Sequence, residues 1–387
     1  MANQPIYLDN NSTTQVDPAV LERMLPFLTV NYGNASSVTH IYGQIAAKAV
    51  STAREQVATL LKCESKAIVF TSGATESNNI AIQGVMRSAS KGRHLIVNAA
   101  EHKAVLDPAY RLAKEGYEVT ILPVDRYGKV SVEEVSRAIR SDTALVSVMH
   151  ANNEVGTINP VFEIAKVCKK HGVLFHTDAT QTVGKVEIDL SSGLIDLLSL
   201  SAHKFYGPKG IGALYVRPGY PRIKIEPLFE GGGHERRLRS GTLPVHQIVG
   251  LGAACDIASE KLTHEANLLT QLRDRLRSNL IGRIPDIVFN GDESLRLPGN
   301  LHVSIPGVNS EALMMNLRDY LAISSGSACT TLSPQPSHVL TAMGVTPSLI
   351  SSSIRFGIGR FNTIHDIDEA GNRVGQMTAT LRQLRSP

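Results

Sequence analysis

The sequence predicts an α/β protein: a large domain with a mostly parallel sheet covered by helices, plus a smaller α+β domain. Three observations carry this reading. Continuous apolar runs alternate with amphipathic helical stretches between residues 67 and 216. A strand that is apolar on both faces belongs inside a parallel sheet sandwiched by helices. Beyond Ile284 the strands shorten and the pattern turns α+β. The chain is also long, at 387 residues, and exceeds what one small core organises.

Taken in order, residues 6–9 read as a short strand, followed by a polar run from Asn10 to Thr14. Asp17 and Pro18 mark a helix start, the carboxylate as cap and the proline at the first helical position. Residues 33–37 form a loop, and 46–61 an amphipathic helix. Strands are expected at 67–70, 94–97, 119–122, 144–149, 173–177 and 194–200. Helices are expected around 76–86, 104–115, 132–139 and 161–171. Residues 217–244, rich in Gly, Arg and Pro, read as irregular. Two helices should follow, at 245–262 and 264–280, then short strands at 288–290, 301–305 and 354–357 with a helix at 310–317. The large domain is assigned residues 16–260, and the small one residues 1–15 and 261–387.

Composition narrows the function class. Net charge is +4 with both signs interspersed, so the concentrated basic stripe of a nucleic-acid binder is absent. No apolar run is long enough to cross a membrane. The opening Met1-Ala2-Asn3-Gln4-Pro5 has neither the charged nor the apolar region of a secretory signal, and a cytoplasmic location is expected. The four cysteines are scattered without a CxxC pair, which argues against a disulfide framework or a zinc site. Cys63, Cys168 and Cys255 sit in apolar, helix-like surroundings and read as small core residues. Cys329 does not.

Ligands of parallel sheets bind at the carboxyl ends of the strands, and several predicted strand ends carry polar residues. Leu197 to Ser201 runs into His203-Lys204, then a Gly/Pro turn. A lysine at a buried strand end has a depressed proton affinity and is a Schiff-base nucleophile; otherwise it is a lysine on an exposed turn. Thr71 to Thr75 leads from a strand into a helix whose free N–H groups suit a phosphate, with Thr75 as a plain helix cap the alternative. Asp178 ends another strand. A buried carboxylate needs a cationic partner, either Lys204 or a protonated pyridine nitrogen. His102 and Asn153 lie just past two further strands. A phosphate loop, an acid, a lysine, an asparagine and a histidine at one sheet edge are explained together by a shared ligand.

On these residues the chain resembles the fold-type I pyridoxal phosphate (PLP) enzymes, and closely the cysteine desulfurases of the NifS/IscS type. The resemblance spans nearly the whole chain. It is carried by Tyr7 to Thr14, Thr71 to Ser77, Glu101-His102-Lys103, Asn152 to Gly156, His176 to Ala179 and His203 to Gly210. It continues through Gly231 to Arg236 and Arg239 to Pro244, and ends in Ser324 to Cys329 and Ser353 to Gly357. The cysteine loop is the most specific of these.

The resemblance implies roles. Lys204 would hold PLP as a Schiff base and later move protons. Asp178 would pair the ring nitrogen, Gln181 would meet the ring hydroxyl, and His102 would stack on the ring as acid and base. Ala74, Thr75, Ser201 and His203 would hold the phosphate, and Thr242 would reach that of a neighbouring subunit, which implies a homodimer. Asn153, counted also among the cofactor contacts, and Arg355 would hold the substrate carboxylate. Cys329, in an exposed loop of small residues, would attack the sulfur of bound L-cysteine and carry it as a persulfide to an acceptor such as an iron–sulfur scaffold, leaving L-alanine. No metal site is indicated beyond Cys329 as a transient iron–sulfur ligand.

This chain has Ala35, Ser12 and Gln335 where the family often has Pro, Ala and Glu. It stops at Pro387, where IscS-type members commonly carry a tail that docks the scaffold. The competing readings are another fold-type I enzyme, such as a selenocysteine lyase or aminotransferase, and a non-catalytic sulfur relay. Cys329 discriminates against an aminotransferase and Lys204 against the relay.

Overall fold

The computed structural model describes residues 4–325 and 336–384. Its strands, in chain order, are β1 (Ile6–Tyr7), β2 (Ile68–Thr71), β3 (His94–Asn98), β4 (Glu118–Leu122), β5 (Thr143–Ser147), β6 (Leu174–Asp178), β7 (Leu197–Ser201), β8 (Gly212–Val216), β9 (Val288–Asn290), β10 (Asn300–Ser304), β11 (Leu321–Ala322) and β12 (Ser353–Gly357). Seven of them form one sheet in the order β2-β8-β7-β6-β5-β3-β4. β3 to β7 run parallel, and β8 is antiparallel to both its neighbours. β3, β5 and β7 are buried along their whole length. That explains their unbroken apolar signal: no face is left for polar alternation.

Polar groups inside this sheet are paired across strands. His176 on β6 bonds Ser147 on β5 at 2.8 Å and Ser199 on β7 at 3.0 Å. The edge strand β2 is clipped from outside. Glu235 accepts the Phe70 N–H at 2.7 Å, and Arg54 donates both to Glu235 (2.6 and 2.8 Å) and to the Ile68 carbonyl (2.8 Å). The clip satisfies edge groups that water or another strand would otherwise take. Glu235, Arg236 and Arg237 all have positive φ, at 46, 58 and 68°, a left-handed run that costs energy at each side chain. The ion pair holds it in place.

The two helices expected at 245–262 and 264–280 are one, Val245–Ile281, 37 residues long. Its apolar stripe changes partner midway. Ile248, Leu251, Cys255 and Ala258 enter the core beneath the large sheet, while Leu269, Leu272, Leu276 and Leu280 enter a second core. No Gly or Pro lies at residues 259–268, so nothing breaks the backbone where the stripe shifts. The second core sits against the antiparallel sheet β12-β10-β9 and the pair β1-β11, and takes in Leu8. Helix Ile364–Gln383 covers it, started by a capping box between Thr363 and Asp366. No helix of the described residues is long and apolar enough to cross a membrane.

Candidate active site

A cavity of about 830 Å³ opens at the carboxyl ends of β5, β6 and β7. It is walled on the far side by the chain's own beginning. β1 joins the second core, and the following polar run crosses to the large sheet, where Thr14 N donates to His203 O at 2.9 Å and Tyr206 N to Thr14 Oγ1 at 2.8 Å. Among the described candidates, Lys204, His102, Ala74, Thr75, Asn153, Asp178, Gln181, Ser201, His203 and Arg355 all line this cavity. Thr242 does not; it is exposed. Cys329 lies outside the described residues.

β7 ends at Ser201 and one tight turn, Ala202–Lys204, delivers the lysine. Its ammonium donates to the Asn11 and Ser12 carbonyls at 2.8 and 2.7 Å. Asp178 closes β6 and is 5% exposed. It accepts from Asn78 Nδ2 at 2.7 Å and from the Thr180 N–H at 3.0 Å. Both donors are neutral, so the carboxylate charge is offset by dipoles alone at these two contacts.

The helix after β2 starts at Ala74, two residues earlier than a Thr75 cap would give, behind Gly73. Gly73 has φ 147°, open to glycine and strained for any other residue. A Cβ there would meet Ser201 Oγ only at an ordinary 3.7 Å, so it is the backbone angle and not space that calls for glycine. His203 bonds Thr13 Oγ1 through Nδ1 at 3.0 Å. Burial, then the charges of Lys204, Lys209 and Lys185, push its pKa down to about 4. The ring is therefore neutral at physiological pH.

His102 caps the helix Lys103–Lys114, its Nδ1 accepting the Ala104 N–H at 3.0 Å. That bond fixes the tautomer and leaves Nε2 as the protonated nitrogen of the neutral ring. Beneath it, Glu101 is fully buried and accepts from Met149 N at 2.6 Å and from Asn98. Burial, reinforced by the nearby Asp178 and only partly opposed by the Met149 bond, raises its pKa well above the carboxylate range.

Arg355 enters from β12 and is 2% exposed. Nη1 donates to Asn153 O at 2.8 Å; Nη2 donates to Asp9 Oδ1 at 2.9 Å and Ser12 Oγ at 2.7 Å. Ser324 on the adjacent bridge pairs with Arg355 through the backbone. On the other side of residues 326–335, Pro336, Ser337 and His338 line the cavity. Ser337 donates to Glu154 Oε2 at 2.5 Å and His338 Nε2 to Glu101 O at 2.9 Å.

Sequence reasoning gave Asn78, Glu101, His338 and Lys185 no roles of their own. Asn78 was legible only as a residue one turn past Ala74 on a helix facing β6. Lys185 lies one turn past Gln181, where it resembles any surface lysine. The other three cysteines have the expected character: Cys168 and Cys255 are buried and Cys63 partly so. Burial raises all three thiols, Cys63 and Cys168 to about 12, which removes them as nucleophiles.

Comparison with known proteins adds the following. The family description "Aminotransferase class-V" matches residues 6–369. The chain is 50% identical over 381 residues to "Cysteine desulfurase IscS" of Anaeromyxobacter dehalogenans, covering 98% of this chain and 94% of that protein. It is 47% identical to human "Cysteine desulfurase", covering 98% and 83%. Among solved structures, a NifS-like protein superposes with a TM-score of 0.90 at 38% identity, covering 97% of this chain and all of that one. A structure described as "SspA in complex with cysteine" gives 0.82 at 37% identity, covering 92% and 100%.

Proposed function

The chain belongs to the class-V aminotransferase family, and from that premise we infer that it acts as a cysteine desulfurase, taking sulfur from L-cysteine with PLP as cofactor. The full-length likeness to cysteine desulfurases favours this over a selenocysteine lyase, an aminotransferase or a sulfur relay. The single observation that carries the chemistry is the convergence of Lys204, Asp178 and Arg355 on one cavity.

The cavity suits PLP in its unmatched atoms as well as its donors. Asn78 Oδ1 and Thr180 Oγ1, both on residues of the cavity wall, are buried without a partner. A polar ligand offsets that cost. Lys204 would hold the cofactor covalently, and Asp178 would keep a proton on the ring nitrogen. Gln181 would meet the ring hydroxyl. Ala74, Thr75, Ser201 and the neutral His203 would hold the phosphate, at the helix start behind Gly73. Bound there, PLP supplies an electron-withdrawing ring that stabilises negative charge at the substrate α-carbon.

The protein's own groups do the rest. Arg355 holds the substrate carboxylate beside Asn153, because its planar fork matches two oxygens. Lys204 Nζ, freed when substrate enters, takes the α-proton. His102, its tautomer set by the helix it caps, would stack on the ring and exchange protons through Nε2. Cys329 as thiolate attacks the substrate sulfur; the S–S bond forms as the Cβ–S bond breaks, and its electron pair stays with the carbon fragment. Protonation there releases L-alanine. The described residues on both sides of segment 326–335 meet the cavity wall or Arg355, which supports delivery of this cysteine.

We further propose a homodimer. Leu21, Leu25, Leu28, Val30, Tyr32, Ile41 and Tyr42 are exposed close together in sequence, and a second copy would cover them while Thr242 reaches its phosphate site. The domain division at residues 15/16 and 260/261, a cytoplasmic location and an iron–sulfur scaffold as acceptor complete the proposal. Incubation with L-cysteine followed by mass spectrometry of the Cys329 peptide tests it. A gain of one sulfur atom is expected. Full L-alanine release by Cys329→Ala, or a protein colourless after reconstitution with PLP, would overturn it.

A further inference from the structure

Gln181 sits in a hydrogen-bond network that leaves its amide one orientation. Its Oε1 accepts from Lys185 Nζ at 3.2 Å and, more loosely, from Asn11 Nδ2 at 3.5 Å. Its Nε2 donates to Asn11 O at 2.9 Å, the carbonyl that also takes Lys204 Nζ at 2.8 Å. Flipping the amide would set an NH₂ group against an ammonium and a second NH₂, donor facing donor. The wall therefore presents to a ligand the second N–H of Gln181 rather than its carbonyl.

Lys185 is a second lysine at the base of the site, partly buried, with no role in the chemistry above. It projects from the turn after β6 and also borders a small void of about 20 Å³ shared with Tyr206 and Glu265. The charged and titratable groups facing it are Lys204 and His203 from the turn after β7, Arg355 from β12, and Tyr206 and Glu265 across that void.

We infer, resting on the PLP reading above, that Lys185 is a positioning residue: it locks Gln181 as a donor to the cofactor's ring hydroxyl and, by its charge, lowers the proton affinity of the linkage between Lys204 and the cofactor. Two effects act in the same direction. A donor on the ring oxygen withdraws the negative charge that would stabilise a protonated linkage, and a nearby cation disfavours another positive charge. The same proximity acts on Lys185: burial first, then Lys204 and Arg355, bring its pKa down to about 7, so its charge acts on the linkage below that pH.

The test titrates the visible absorption band of the PLP-loaded protein against pH. In Lys185→Met the midpoint should rise by an amount on the order of one pH unit, the size expected of a like charge removed at partly screened range. Lys185→Arg, which keeps charge and donor, should leave it in place, and Lys185→Gln, which keeps only a donor, should fall between. An unmoved midpoint in both Met and Gln variants, or an Arg variant that shifts as far as Met, overturns the inference. If Lys185→Met does not fold, the Arg and Gln variants carry the comparison. A wild-type protein with no visible band would instead overturn the PLP reading, so the two failures are distinguishable.

Discussion

Replacing Arg355 by lysine probes the proposed carboxylate clamp at fixed charge. The guanidinium is 2% exposed and donates at 2.7 to 2.9 Å to Asp9, Ser12 and the Asn153 carbonyl. It is therefore held rigid and unscreened by solvent. Lysine brings a point charge without the fork, so at least one charge-assisted hydrogen bond to the substrate carboxylate is lost. Such a bond contributes about 1.5–3 kcal/mol. That corresponds to a fall in kcat/KM for L-cysteine of about 10- to 150-fold. Because the carboxylate takes no part in bond breaking, the loss should fall mainly on KM. The same factor should appear in the Kd of the product L-alanine, read from the change it causes in the visible spectrum. A variant whose KM and L-alanine Kd both stay within about twofold of wild type would refute the assignment of Arg355 to the carboxylate.

Three further outcomes are expected. Burial raises the Glu101 pKa well above the carboxylate range and so favours its neutral form; Glu101→Gln should unfold in urea like wild type, whereas Glu101→Ala strands the Met149 N–H and should cost about 1–3 kcal/mol, and equal losses in both would show the carboxyl to be charged. Burial lowers the His150 pKa to about 4. The unfolded chain, with its histidine near 6.5, then binds the extra proton first. This contribution to stability is complete above about pH 6.5 and declines as pH falls toward 4, by about 3 kcal/mol. His150→Gln should flatten that part of a urea-midpoint profile, and an unchanged slope would exclude His150 as its source. Finally, Glu235→Ala removes the acceptor of the β2 edge N–H and the partner of Arg54. A loss of about 2–4 kcal/mol is expected, less than a fully buried pair because Arg54 keeps some contact with water. The same variant should hold PLP more weakly, since β2 leads directly into Gly73 and Ala74.

Much of the large sheet was legible because its central strands are buried on both faces and read as unbroken apolar runs. β8 was not singled out, and the long helix Val245–Ile281 was split, since a stripe that shifts from one core to another looks in sequence like a boundary. Lys204 and Asp178 stood out because a charged residue at the end of an apolar run is costly and calls for a reason. Lys185 and Glu101 sit in ordinary local sequence. Their character comes from contacts made elsewhere in the fold, such as Gln181 meeting Asn11 across 170 positions, and one-dimensional periodicity carries no trace of those.

The crossing made by the first residues also bears on synthesis. Gly357 N donates to Leu8 O at 2.6 Å and Asn10 N to Gly357 O at 3.0 Å, while the Asn11 and Ser12 carbonyls hold Lys204. A nascent chain leaving the ribosome has the whole seven-stranded sheet in hand long before it has β12. Until that strand emerges, the opening residues lack the backbone partner that Gly357 gives Leu8 and Asn10, although β11 and the turn after β7 already hold Ile6, Leu8 and Thr14. On the PLP reading, the roof over Lys204 is complete only with β12, and truncated products stalled before residue 353 should fold a sheet yet hold the cofactor more weakly.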